Sequence, residues 1–258
     1  MTLGHKLINS KDLVVESWNL IKKDKSLLVP PILSLGILSI LAIFSIIFLA
    51  GISSIVVGRR SFGLMAIIFL VIIFSIYFVA TFFNAALTWM AYEVKKGKNT
   101  DIITGLGKAF REFFDIILFA LMTFVIGILA GIIRGKGRGG ISVLRDVAAK
   151  TVSAAWSVIG NLIMPAMILT DHHFFSAWNE LKRYKDSIPQ ILVGTFGLGI
   201  IFSIISTLAF FVSVFVFFTM GVFAGVISVV LLIGPLMIIS NAMKTLFFTL
   251  LYMQIKKL

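Results

Sequence analysis

The chain contains no cysteine and little charge. Among its 258 residues, Lys, Arg, Asp and Glu together make up 13%, whereas a soluble domain averages about 25%. Without cysteine, disulfides, thiol catalysis and thiolate metal ligands are excluded. Hydrophobic residues make up 59% of the chain, which indicates that lipid surrounds most of its surface.

Charge is missing altogether from residues 187–243. A helix crosses the ~30 Å hydrocarbon core of a bilayer in about 20 residues, so this stretch must cross twice. Four shorter uncharged runs cover residues 26–58, 61–92, 116–133 and 151–170. We therefore predict an all-α, polytopic membrane helix bundle with six transmembrane helices, in which the long run divides near Thr219, Met220 and Gly221.

The basic residues indicate the orientation. Seven of the 23 Lys and Arg residues lie on the outer side if the N-terminus is cytoplasmic, and the other 16 lie inside. The seven are Arg59, Arg60, Arg134, Lys136, Arg138, Arg145 and Lys150. The positive-inside rule therefore predicts two cytoplasmic termini. Because five of the seven fall within residues 134–150, we expect that segment to be a loop or an interfacial helix.

A charged amphipathic segment precedes the first, third and fifth spans. The predicted interfacial anchors of the three copies are Trp18, Phe110 and Trp178. The apolar face of the middle copy is completed by Leu106 and Phe113. A helix with aromatic residues and basic flanks lies in the headgroup plane of a membrane. The alternative, that these helices cap the bundle, is compatible with it.

The first and last thirds of the chain match each other at an offset of 160 to 161 residues. The matched pairs are Trp18 with Trp178, Asn19 with Asn179, Ser26 with Ser187, Gly36 with Gly197, Ser45 with Ser206 and Thr88 with Thr249. We predict one transmembrane domain over residues 1–258, built from hairpin repeats at about 10–96, 101–171 and 172–258. Each repeat begins with an interfacial amphipathic helix.

Three segments carry a family resemblance that extends over nearly the whole chain. They are SWNLIKKDKSLLVPP at residues 17–31, YFVATFFNAAL at 77–87 and VGTFGLG at 193–199. These segments resemble an uncharacterised family of prokaryotic six-helix integral membrane proteins and, more distantly, the membrane domain attached to glycerophosphodiester phosphodiesterases. The resemblance implies a multi-pass protein of a prokaryotic cell membrane and assigns no catalytic residue.

The candidates for ligand chemistry are weak. Adjacent helical residues point about 100° apart, so His172 and His173 do not easily share a metal, and we expect Thr170 or Asp171 to cap the following helix. The segment 135–140 holds four glycines and two basic residues and is expected to be a solvated turn or a contact for lipid headgroups. The spacing of Gly127, Gly131 and Gly135 on the third span, and of Gly221 and Gly225 at the start of the sixth, predicts close helix packing.

Four polar side chains fall inside predicted spans: Asn84, Asn161, Asn241 and Lys244. Two interpretations remain open. Asparagines in a bundle hydrogen-bond between helices, whereas an ionisable residue in a membrane is typical of a functional polar pathway. A third possibility concerns Lys244 alone: the sixth span ends near it, and residues 245–258 form another interfacial helix.

No catalytic motif is present, so we expect no enzyme activity, no cofactor and no metal. A basic stripe interleaved with aromatic residues is also missing, which argues against nucleic acid as a partner. Two functional classes remain. The favoured one is a non-catalytic, lipid-interacting scaffold or assembly protein with anionic membrane lipids as partners, acting alone, as a homo-oligomer or with another membrane protein. The alternative is a channel or transporter for an ion or small solute.

Overall fold

The computed structural model describes residues 10–55, 61–135, 141–181 and 188–258. Within these ranges a short helix is followed by two long ones, three times in succession. The helices are α1 Ser10–Lys23, α2 Val29–Ile55, α3 Ser61–Lys95, α4 Ile102–Arg111, α5 Phe113–Arg134, α6 Ile141–Thr170, α7 Phe174–Leu181, α8 Ile188–Met220 and α9 Val222–Lys256.

Local chemistry sets several of the helix boundaries. Asp24 accepts a hydrogen bond from Ser26 N (2.9 Å) and caps a short 3-10 turn over Lys25–Leu28. Asp101 caps α4 in the same way, accepting from Thr104 N at 2.8 Å, and that hydrogen bond lowers the pKa of the Asp101 carboxyl. Gly221, with φ +89, forms the turn between α8 and α9, where the long uncharged run was predicted to divide.

Six of the described helices are long and apolar enough to cross a membrane, which is the predicted number. Their spanning segments are Lys25–Gly51, Met65–Lys95, Phe113–Arg134, Arg145–Thr170, Gly199–Met220 and Val222–Lys256. The protein is therefore all-helical in its described parts, with the organisation of a multi-pass membrane protein.

The second long helices of the three hairpins, α3, α6 and α9, contact one another and form the centre of the bundle. We call them the inner helices. Each of α2, α5 and α8 packs against the inner helix of its own hairpin and against the inner helix of the preceding one. The short helices α1, α4 and α7 contact the preceding inner helices α9, α3 and α6. The same set of contacts is therefore made three times around the bundle.

The packed core lies at the end where the inner helices terminate. Leu87, Ile163 and Leu246 are completely buried there, together with their neighbours along the same helices. The short helices add one buried face each, for example Leu13 of α1 and Ala177 of α7. At the other end of the bundle, large apolar side chains of α2, α8 and α9 are exposed on the helix surfaces, as expected for contact with lipid.

Two expectations about segment boundaries were wrong, and so was one possibility that the sequence left open. α6 begins at Ile141, so the described residues from Ile141 onward extend the fourth spanning helix and form neither a loop nor a separate interfacial helix. Charge is tolerated because Asp146 lies 3.8 Å from Arg134 and 3.5 Å from Lys150 on an exposed surface. Residues 136–140, with most of the glycine-rich segment, lie outside the described residues.

The second correction concerns the end of the chain. α9 continues without a break past Lys244 to Lys256, and residues 246–253 are buried. No separate interfacial helix therefore follows Lys244, because residues 246–253 continue α9 and supply the apolar face that closes the core. A third correction concerns the middle third of the chain, where Phe113 begins α5 and does not belong to the short helix α4.

The glycines whose spacing predicts close packing do not all lie at close contacts. A Cβ on Gly127 meets the Tyr77 hydroxyl at 3.3 Å, but one on Gly131 meets no atom within 4 Å, and Gly135 lies past the end of α5. The tight positions are Gly105, whose Cβ would lie 2.8 Å from Met90 Cγ, and Gly225, whose Cβ would lie 2.7 Å from Phe217 Cβ.

We predict that Gly105→Ala destabilises the protein relative to Gly107→Ala, a matched change two residues along the same helix. The added methyl group at position 105 also meets the Ala86 carbonyl oxygen at 3.0 Å, while position 107 is open. Overpacking costs about 1–3 kcal/mol, and both variants gain up to ~1 kcal/mol of helix propensity. Thermal unfolding of both variants in the same nanodiscs measures the difference. Equal or greater stability of Gly105→Ala would contradict the close packing of α4 on α3.

Candidate functional site

A small polar cavity lies among the three inner helices. Its volume is about 60 Å³, which is room for a few water molecules. It is lined by Thr81, Asn84, Thr88, Phe119, Gly160, Asn161, Met164, Pro165, Thr245 and Phe248. We call it the central cavity. Two of the four intramembrane polar residues singled out in the sequence, Asn84 and Asn161, therefore share one space.

A direct hydrogen bond connects Asn84 to α9. The Asn241 side-chain amide donates to Asn84 Oδ1 at 3.0 Å, and the Thr245 hydroxyl lies 3.5 Å from the same oxygen. These groups lie on the second and sixth spans, 157 and 161 residues apart in sequence. In a low-dielectric region, such a bond satisfies polar groups that lipid cannot hydrate.

Asn161 is placed differently from Asn84 although it lines the same cavity. Its amide donates to the Ser157 carbonyl oxygen within its own helix. The third asparagine, Asn241, is absent from the lining of the central cavity and is connected to it through Asn84. The structure thus bonds Asn84 to Asn241, whereas Asn161 lines the same cavity with its amide bonded inside α6.

Lys244 lies in a second space, between α8 and α9, with a volume of about 360 Å³. The polar side chains that line this space are those of Ser203, Ser206, Ser240, Asn241 and Lys244. We call it the α8–α9 groove. Lys244 belongs to the spanning segment Val222–Lys256 and precedes Lys256 by twelve residues, or ~18 Å along the helix. Asn241 lines the groove and also bonds to Asn84, so it separates the groove from the central cavity.

The central cavity is closed toward the packed end of the bundle. Ala91, Ile168 and Tyr252 follow Asn84, Asn161 and Thr245 by seven residues each, and all three are 0% exposed. Seven residues correspond to ~10 Å along a helix. A solute that reached the cavity would therefore meet tightly packed side chains on this side.

Each short helix has a buried face, an exposed flank with an aromatic residue and an exposed polar flank, and on α1 the aromatic flank also carries Lys22, four residues after Trp18. The aromatic flanks carry Trp18 on α1, Phe110 on α4 and Phe175 on α7, which are 39%, 61% and 65% exposed. The residues that follow them, on the polar flanks, are Asn19, Arg111 and Ser176, and all three are exposed. Consecutive helical residues point about 100° apart, so the two flanks are distinct surfaces.

The outer anchor of α7 differs from the prediction. Trp178 is half-buried and its ring lies 6.0 Å from that of Trp156, so it packs inside the bundle. Phe175, which sequence reasoning missed, holds the exposed position. The helical period could have found it, because Phe174 and Ala177 define the buried face of α7. On α1, the Lys22 ammonium lies 5.6 Å from the Trp18 ring centroid, in cation–π range.

Ion pairs tie each short helix to the end of the inner helix of its own hairpin. They are Glu16 with Lys95, Lys108 with Asp171, and Glu180 with Lys256. The hydrogen bond from Lys108 lowers the pKa of the Asp171 carboxyl. Burial lowers the pKa of the Lys108 ammonium, but hydrogen bonds to Asp171 and Glu112 outweigh it and raise that pKa.

The two adjacent histidines diverge. His172 Nε2 lies 3.2 Å from Glu180, and His173 Nδ1 lies 3.0 Å from Asp115. The other Asp115 oxygen accepts from Phe174 N at 2.9 Å, so α7 is capped from α5 and not by Thr170 or Asp171, as had been expected. Among the described residues, no three or more His, Asp or Glu side chains are grouped to hold a metal ion.

These arrangements offer a hydrogen bond between inner helices, a lysine in the α8–α9 groove, and exposed aromatic residues around the packed end. Comparison of the chain with models of protein families, with curated protein sequences and with solved structures gives no match.

We predict an energetic coupling between Asn84 and Asn241. Removing either side chain breaks the same hydrogen bond, so a double-mutant cycle of Asn84→Ala and Asn241→Ala should give a coupling of about 0.6–1.7 kcal/mol, the range found inside membranes. Unfolding free energies in a common micelle measure it. The matched cycle of Asn84→Ala with Asn161→Ala should show almost none, and equal couplings in both cycles would contradict the bonding pattern.

We predict that protonation of His173 makes a small contribution to the docking of α7. The hydrogen bond to Asp115 raises the pKa of His173 above its ordinary value of 6.5. Because the pKa of His173 is raised in the folded state, the stabilisation that its protonated ring provides is complete below about pH 6.5. That stabilisation is lost as the pH rises through the folded-state pKa. The unfolding temperature should therefore fall between about pH 6 and 8, and this part of the fall should vanish in His173→Gln. A control variant, His172→Gln, should retain it; an unchanged pH profile in His173→Gln would contradict the assignment.

Proposed function

We propose that the protein is a non-catalytic, lipid-interacting membrane scaffold whose three short helices lie in the headgroup layer of one leaflet. The observation that carries this proposal is the exposed aromatic flank on every short helix. Trp18, Phe110 and Phe175 remain outside after the opposite face of each helix has been packed into the bundle. An aromatic flank beside a polar one is the pattern of a helix at a membrane surface.

The charges favour an anionic leaflet. Basic residues Lys11, Lys22 and Lys23 are exposed on α1, and Arg111 on α4. Near a membrane surface, each such residue contributes about 1 kcal/mol toward anionic lipid. The proposed setting is a prokaryotic cell membrane with both termini cytoplasmic, because the cytoplasmic leaflet carries the anionic lipids that the basic residues attract.

The proposal includes three repeated units, each a short amphipathic helix followed by a hairpin. Support comes from the 160 to 161 residue offset in the sequence, from contacts made in the same order by each unit and from one ion pair per unit at the same end of the bundle. Such a threefold arrangement presents three lipid-binding flanks around a rigid core. A second copy of the chain or another membrane protein is the partner that such a scaffold would organise.

The second candidate function is a channel or transporter, favoured by the central cavity and the Asn84–Asn241 link. Conduction through the middle of the bundle requires the inner helices to separate at Ala91, Ile168 and Tyr252, which are fully buried. The buried layer argues for the scaffold. Solute flux into liposomes that contain the purified protein would reverse this order of preference.

The experiment places a nitroxide label at adjacent positions on each short helix, which a chain without cysteine permits. The pairs are Trp18→Cys with Asn19→Cys, Phe110→Cys with Arg111→Cys, and Phe175→Cys with Ser176→Cys. In nanodiscs, the first member of each pair should collide more often with oxygen, which concentrates in lipid, and the second with a water-soluble nickel complex. Nickel access to both members of every pair would overturn the proposal.

Lipid charge is tested on the unlabelled chain. Its unfolding temperature should be higher in phosphatidylglycerol nanodiscs than in phosphatidylcholine nanodiscs, and the difference should shrink in Lys22→Gln/Lys23→Gln because each lysine contributes about 1 kcal/mol. Equal unfolding temperatures in both lipids would remove the preference for an anionic leaflet.

A further inference from the structure

The α8–α9 groove combines a cation with an apolar wall. Lys244 and the hydroxyl-bearing Ser203, Ser206 and Ser240 line one part of it. The rest of the wall is formed by Phe202, Leu236 and Met237. Ammonium and hydroxyl groups donate hydrogen bonds to an anion, and the apolar wall suits a hydrocarbon chain.

Lys244 lacks an anionic partner among the described residues. The described Asp and Glu side chains lie on the short helices or near the ends of spanning helices, and no ion pair of the described residues includes Lys244. A charged side chain inside a membrane is costly unless a counter-ion or water accompanies it. The groove is therefore a place where an anion would stabilise the protein.

The depth of Lys244 is compatible with an anion held by a lipid. α9 has 35 residues and so measures ~52 Å, against ~30 Å for the hydrocarbon core. If the helix is centred, ~11 Å at each end lie outside the hydrocarbon. Since Lys244 is ~18 Å from Lys256, it lies ~7 Å below the hydrocarbon boundary, where its four-carbon stem can meet a headgroup drawn inward.

The surroundings of the groove indicate that the ligand enters from the bilayer. Ile201, Ile205 and Met237 on the same two helices are 53%, 40% and 54% exposed, so the faces beside the groove are apolar and open. A free inorganic anion would have to cross this apolar surface. An anion attached to an acyl chain would instead enter the groove while the chain stays in contact with this apolar surface.

The equivalent hairpin provides an internal comparison. A groove of about 300 Å³ lies between α2 and α3, but its lining is apolar apart from Ser45 and Ser75 and includes no charged residue. At the 161-residue offset, Phe83 stands where α9 has Lys244. The cation is therefore a property of the third hairpin, and it is not required for packing a hairpin of this kind.

We infer that the α8–α9 groove binds the anionic group of a membrane amphiphile, either the carboxylate of a fatty acid or the phosphate of a phospholipid. Lys244 and the serine hydroxyls hold the anion, and the acyl chain lies along Phe202, Leu236 and Met237. This site goes beyond the proposed function, because it lies within the spanning helices and uses none of the residues on the short helices.

The test is native mass spectrometry of the full chain in detergent micelles, titrated separately with oleate, phosphatidylglycerol, phosphatidylcholine and inorganic phosphate. One equivalent of oleate or phosphatidylglycerol should bind at least about tenfold more tightly than phosphatidylcholine, because the choline cation of phosphatidylcholine offsets the charge of its own phosphate and repels Lys244. Whichever of oleate and phosphatidylglycerol binds more tightly identifies the source of the anion. Inorganic phosphate should not bind, because it leaves the apolar wall unfilled.

Two variants test the site, and one controls for charge. Lys244→Met keeps the length of the side chain and should weaken binding about tenfold, whereas Lys98→Met removes an exposed lysine outside the spans and should leave binding unchanged. Ser206→Leu retains Lys244 but fills the groove, so it should weaken binding by a similar factor. If Lys244→Met does not fold, the binding measured for Ser206→Leu tests the site in its place. Unchanged binding in Ser206→Leu, an equal loss in Lys98→Met, or binding of inorganic phosphate as tight as that of the amphiphiles would each overturn the proposal. None of these outcomes affects the nitroxide measurements on the short helices, so the two proposals fail independently.

Discussion

The packing of α3, α6 and α9 against one another at their C-terminal ends is the interaction on which the rest of the structure depends. Lipid is as apolar as the side chains it surrounds, so helices in a membrane gain little from hydrophobicity alone and are held by close packing and hydrogen bonds. Here the contact is made by fully buried side chains such as Leu87, Ile163 and Phe247, which is 1% exposed. The short helices dock onto this end, and their own buried faces complete the core.

The ion pairs and the uncharged polar groups lie at different distances from this packed end. The ion pairs of the short helices are partly exposed, and exposed pairs contribute little to stability; each joins a short helix to the end of the inner helix of its own hairpin. Farther along the inner helices, Asn84 and Asn241 satisfy one another. Lys244, about one turn nearer the packed end than Asn241 and facing α8, has no anionic partner among the described residues, which is the basis of the proposed anion site.

The fold was largely predictable from the sequence because its strongest signal is the spacing of charge. The six spans follow from uncharged runs, and the turn at Gly221 follows from the length of the longest run. The extension of α6 through Arg145 and Lys150 was missed, since charged residues on an exposed helix look like loop residues when their neighbours are unknown. The Asp115 cap of α7 was missed for a related reason: it joins residues 59 positions apart.

The candidate site was predictable only as a set of residue types at similar depths. Asparagine is unusual enough in a span to be noticed, but the sequence does not reveal the rotation of each helix. That rotation decides that Asn84 bonds to α9, that Asn161 bonds within α6 and that Lys244 faces α8. For glycine the difficulty is the same, because Gly105 and Gly131 differ only in what stands opposite them.

The three short helices pack around the inner helices, and we propose that all three lie at one membrane surface. Single cysteines at exposed positions of the short helices and at the C-terminal end of α8 test it, with a membrane-impermeant thiol reagent added to either side of sealed vesicles. Cysteines at Asn19, Gly107 and Ser176 should react from one side only, and a cysteine at Met220, the last residue of α8, should react from the other. Reaction of any short helix from the same side as position 220 would contradict the account.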